Sequence, residues 1–64
     1  MKNNLRVILA KRKLTVAELS EMTGLAKSTL TQIYYERTNP SALTIYKIAS
    51  ALGVMVDELL AGEE

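Results

Sequence analysis

The sequence predicts an all-α fold of five short helices in one compact unit. Apolar residues recur at helical spacing in five separate stretches, around residues 5–9, 16–19, 30–33, 45–52 and 59–60. Stop and start signals stand between these stretches: Lys13–Leu14–Thr15, Gly24, the loop ending in Pro40–Ser41, and Gly53. The β-branched residues never alternate over four or more positions between turn signals, so no strand is expected.

Taken in order, the first helix is expected from about residue 4 to 12, with Asn3 or Asn4 as its cap and Leu5, Ile8 and Leu9 facing the core. Lys11, Arg12 and Lys13 suit the negative end of its dipole. Lys13 stands where a glycine would be the comfortable left-handed cap, so a small strain is expected there. Thr15 with Glu18 three residues on makes a capping box for the second helix, with Leu14 and Leu19 placed as a hydrophobic staple. Val16, Leu19 and Thr23 face inward, and Gly24 ends the helix in a left-handed turn.

The third helix is expected from about residue 27 to 35. Leu30 and Ile33 anchor it, Leu25 packs in the turn before it, and Lys27, Ser28, Thr31, Gln32 and Tyr35 face outward. Pro40 disfavours helix at Asn39, and Ser41 restarts it. The fourth helix covers about residues 42–52 with Ile45, Ile48, Ala49 and Leu52 inward, and Gly53 stops it. Val54 and Val56 are read as buried connectors. A fifth helix at about 56–61 carries Asp57 and Glu58 in its first turn, with Leu59 and Leu60 packing back and residues 62–64 fraying. The 64 residues are therefore read as one domain with an ordered core at about 4–61.

A chain of this length buries only about 60% of its unfolded surface, so its core is marginal. With no Cys and no His, disulfides, thiolate chemistry and imidazole metal ligands are excluded. No nucleophile stands with a base, and no carboxylate pair is confined to a cleft, so catalysis is not expected. No cofactor, metal or small-molecule ligand is expected either. No apolar run approaches a membrane span, nothing resembles a signal peptide, and a cytoplasmic setting is expected. Net charge is only +1 but unevenly spread. Residues 1–40 carry seven basic and three acidic groups, whereas residues 41–64 carry one basic and four acidic. One face is thus suited to an anionic partner.

Residues 15–37 form the pattern of a helix-turn-helix, whose second member is presented outward for reading DNA. With this pattern in hand, the chain resembles the Cro and phage-repressor type of helix-turn-helix domain, a λ-repressor-like five-helix fold with helices 2 and 3 as the motif. The resemblance covers roughly residues 5–60. It is carried by NLRVILAKRKLT, AELSEMTGLAKSTLTQI, the NPS after the loop, and IYKIASALGVMVDELL.

The resemblance implies a sequence-specific regulator of transcription, a repressor in the first instance, bound as a dimer to double-stranded DNA. Lys27, Ser28 and Gln32 become the base-reading residues, with Thr31 beside them. Thr15 and Val16 approach phosphate mainly through backbone N–H groups, and Tyr35 and Arg37 meet phosphate after helix 3. Tyr34 is assigned to packing. Leu43, Tyr46 and Met55 lie outside the core stripe and are candidates for a weak homodimer interface.

Five positions depart from the family pattern: Val16 replaces a common Gln, Ala26 replaces a common Ser or Thr cap, and Tyr34–Tyr35–Glu36 replaces Glu-Asn-Gly. These departures keep a rival reading open, an interaction module such as an antitoxin or antirepressor.

Overall fold

The computed structural model describes residues 2–61. Five helices follow one another: α1 Leu5–Arg12, α2 Val16–Thr23, α3 Lys27–Tyr34, α4 Ala42–Leu52 and α5 Val56–Leu60. No strand occurs among the described residues. The expected fraying of residues 62–64 lies outside them.

Each helix ends where its sequence provides an end. The Thr15–Glu18 capping box forms in both directions: the Glu18 amide donates to Thr15 Oγ1 at 3.1 Å, and the Thr15 amide donates to Glu18 Oε1 at 2.8 Å. Ser41 Oγ accepts the Thr44 amide at the start of α4. Half a capping box opens α5, where Glu58 Oε1 accepts the Met55 amide and methionine has no hydroxyl to return the bond. Gly24 and Gly53 close α2 and α4 at φ of 76° and 69°. Lys13 takes the same left-handed conformation at φ 57° after α1, as its position required. Glu36 takes it too, at φ 60° after α3, where the family pattern carries glycine.

The core is one cluster. Leu5, Leu9, Leu19, Leu30, Ile33, Ile48 and Leu59 are essentially sealed from solvent, with Ile8, Ile45, Ala49 and Leu52 completing it. Helix α2 packs on α3 and α4, α5 packs on α4, and α1 lies on α3. Leu14, Val16 and Leu25 are half-buried against the cluster, so the staple and the turn residue both serve it. The same holds for Val54 and Val56, which are packed on the core without being fully buried. Leu60 does not pack back as expected. It is 40% exposed, because a helix of five residues presents one deep inward position and Leu59 occupies it.

The start of α1 is tied to distant parts of the chain. Asn3 is buried; its Oδ1 accepts the Leu5 amide and so caps α1, while its Nδ2 donates to the Ile33 carbonyl at 3.0 Å. The Asn4 amide donates to the Leu59 carbonyl at 2.7 Å, and Asn4 Nδ2 donates to the Glu58 carbonyl. These bonds hold α3 and α5 against the entry to α1.

Candidate nucleic-acid interface

The angle between α2 and α3 is fixed by two side chains of the last turn of α2. Ser20 Oγ donates to the Leu25 carbonyl at 2.6 Å. Thr23 Oγ1 donates to the Leu19 carbonyl at 2.9 Å and accepts the Leu25 amide at 3.1 Å. With Gly24 supplying the left-handed step, the chain turns without leaving Leu25 polar groups unsatisfied. Leu30 and Ile33, both fully buried, then set the rotation of α3 about its axis.

That rotation leaves Lys27, Ser28 and Gln32 exposed, with Thr29 beside them, while Thr31 is half-buried at the edge of the face. Ser28 and Gln32 are four residues apart and share one stripe; Lys27 and Thr31 form the adjacent one. Ala26 offers no side-chain cap, and the first intrahelical bond is from the Leu30 amide to its carbonyl. The amides of Lys27, Ser28 and Thr29 therefore have no helical acceptor, and the positive end of the α3 dipole stands open next to Lys27.

The start of α2 is similar but smaller. Thr15 spends its acceptor on Glu18, which leaves the amides of Val16 and Ala17 and the Thr15 hydroxyl proton available. Val16 contributes only backbone there, because its side chain packs toward the core.

At the other end of α3 the two tyrosines divide. Tyr34 is half-buried against the core, whereas Tyr35 is 52% exposed. Their rings meet edge to face, with centroids 5.0 Å apart at 73°. The Arg37 guanidinium lies over the Tyr35 ring at 5.2 Å, and the Arg6 guanidinium, from α1, lies over Tyr34 at 6.0 Å. The helix closes with the Glu36 amide on the Ile33 carbonyl and the Arg37 amide on the Gln32 carbonyl at 2.8 Å. The Glu36 carboxylate accepts the Asn3 amide at 3.2 Å.

The three candidate interface residues are among the most exposed apolar side chains: Leu43 63%, Tyr46 62% and Met55 67%. Leu43 and Tyr46, three apart, share a face of α4. Tyr46 and Met55 flank one shallow groove floored by Ala49, Val54 and Val56.

The structure therefore brings Lys27, Ser28, Thr31 and Gln32 to one face, Thr15 and Val16 to the start of α2, and Tyr35 and Arg37 to the end of α3. Sequence reasoning missed the stacking of Arg6 on Tyr34, which joins α1 to α3 and has no local signature. It missed the left-handed Glu36 as well, although the glycine common at that position in the resembling family was a signal.

A family model described as the Cro/C1-type HTH DNA-binding domain matches residues 4–63. The immunity repressor protein of Bacillus phage phi105 is 40% identical over 60 residues. That match covers 94% of this chain and 41% of the phage protein, so the chain spans about two fifths of its relative's length.

Proposed function

The chain belongs to the family of Cro/C1-type helix-turn-helix DNA-binding domains, and on that premise we propose that it serves as the DNA-binding domain of a transcriptional repressor. The observation that carries the reading is the outward face of α3, where Lys27, Ser28 and Gln32 stand exposed beside a helix start with three amides left over. Placed in the major groove, the Gln32 amide can pair with adenine N6 and N7, and Lys27 with guanine or a phosphate. Ser28 suits either, and Thr31 contributes from the edge of the face. Thr15 and the Val16 amide take a phosphate at the start of α2, and Tyr35 and Arg37 take another beyond α3.

Residues 1–64 act as one domain in this reading. Two copies associate weakly through Leu43, Tyr46 and Met55, placing their α3 helices on half-sites about 34 Å apart. Repression follows from occlusion of a promoter in the cytoplasm, with no cofactor, small-molecule ligand or catalytic step. The name of the phage relative supports the assignment to repression rather than activation.

Selection of duplexes from a random pool, followed by binding of Lys27→Ala and Gln32→Ala, tests it. Enrichment of one motif is expected, with relaxed preference in both variants and a Kd that rises steeply with salt. Binding flat in salt with no enriched motif overturns it. The uncapped Ala26 and the apolar Val16 favour a second reading, an interaction module such as an antitoxin or antirepressor; there a partner protein, not DNA, shifts the amide resonances of α3.

A further inference from the structure

Beyond the outward face of α3, two guanidinium groups lie over aromatic rings. Arg37 rests on Tyr35, Arg6 rests on Tyr34, and the two rings touch edge to face, so the four side chains run Arg6–Tyr34–Tyr35–Arg37. Among the described residues neither arginine makes an ion pair. Glu36, the neighbour of Arg37 in sequence, aims its carboxylate at the Asn3 amide. A guanidinium over a ring is held by its charge and does not spend its five N–H donors on an acceptor. An arginine whose conformations are narrowed by a neighbouring ring loses less freedom on meeting an anion than one without such a neighbour.

Resting on the proposed DNA-binding role, we infer that Arg6 is a second phosphate-binding residue, and that Tyr34 positions it. Arg6 and Arg37 together grip the sugar-phosphate strand beside the C-terminal end of α3, one from α1 and one from the following loop. Tyr34 therefore has two duties: its buried edge packs on the core and its ring holds the Arg6 guanidinium. The competing account is that both arginines only complement the negative end of the α3 dipole. That account predicts an effect on stability and none on DNA.

The test is fluorescence anisotropy with a pool-selected duplex and an unselected duplex of equal length, from 50 to 200 mM KCl. Arg6→Gln and Arg37→Gln are each expected to weaken both duplexes and to lower the slope of log K against log salt by about 0.9. Over that fourfold salt range, the affinity of each variant then falls about 3.5-fold less than that of the wild type. Tyr34→Leu is expected to weaken binding, with the effect vanishing when Arg6→Gln is already present. Tyr34→Phe, which keeps the ring, retains most of the affinity.

An Arg6→Gln slope equal to wild type, while Lys27→Ala still weakens binding, overturns the inference and leaves the DNA-binding role standing. Absence of duplex binding by the wild type overturns both. Arg6 is exposed, so its glutamine variant decides the matter even if Tyr34→Leu does not fold.

Discussion

Replacing Lys13 by glycine should stabilise this domain, although glycine is ordinarily a poor choice next to a helix. Lys13 sits at φ 57° and ψ 42°, in the left-handed region. A side chain there costs about 1–2 kcal/mol, because Cβ crowds the following carbonyl. Glycine removes that cost. Against it stand about 0.5–1 kcal/mol from the greater freedom of glycine in the unfolded chain, and about 0.3 kcal/mol for a cation lost at the end of α1. Lys13 is exposed, and among the described residues its side chain makes no hydrogen bond or ion pair that the substitution would forfeit. The balance is a gain of about 0.5 kcal/mol, which for a domain of this size raises Tm by about 2–4 °C. Thermal unfolding by circular dichroism reads it directly. Lys13→Ala is the control: it removes the charge and keeps the strain, so Tm should fall by about 1–2 °C. If glycine and alanine move Tm by the same amount, the backbone argument is refuted.

Glu36→Gly relieves the same kind of strain but gives up the bond from the Asn3 amide, so it should leave Tm near wild type and about 2–4 °C below Lys13→Gly in the same melt. Ser20→Ala leaves the Leu25 carbonyl without its 2.6 Å partner and should cost about 1–2 kcal/mol in urea denaturation. Leu30→Ala opens a cavity under the exposed face of α3 and should cost about 2–5 kcal/mol, enough to unfold much of the population at 37 °C, as read by far-UV circular dichroism. Tyr46→Asp or Met55→Asp should abolish any self-association seen by sedimentation equilibrium while leaving the helical spectrum unchanged, since both side chains are more than 60% exposed.

Much of the fold was legible because its signals are local. The Thr15–Glu18 box, the Ser41 cap and the glycines at 24 and 53 each act within four residues, and α4 begins and ends where they place it. The strained Lys13 was equally visible, since only its position mattered. What escaped depends on contacts between distant residues. Asn3 reads as a simple cap until its Nδ2 is found on a carbonyl 30 residues away. The depth of Leu60 could not be judged from periodicity, because five residues do not define a stripe. For the interface, helical spacing sorted the inward Leu30 and Ile33 from the outward Lys27, Ser28 and Gln32. Spacing alone could not bring Arg6 of α1 onto Tyr34, nor turn Glu36 toward Asn3.

The bonds from Asn4 to Glu58 and Leu59 bear on the order in which the domain assembles. They close a span of 54 residues, and closing a flexible loop of that length costs about 3.5 kcal/mol in chain entropy. Helices α2, α3 and α4 meet their partners across far shorter separations, so the α2–α3–α4 unit can form first and the α1–α5 seam should close last. By the same reasoning that seam is the first to open in the native state. Under exchange conditions the Asn4 amide should therefore gain deuterium well before the amide of Leu30.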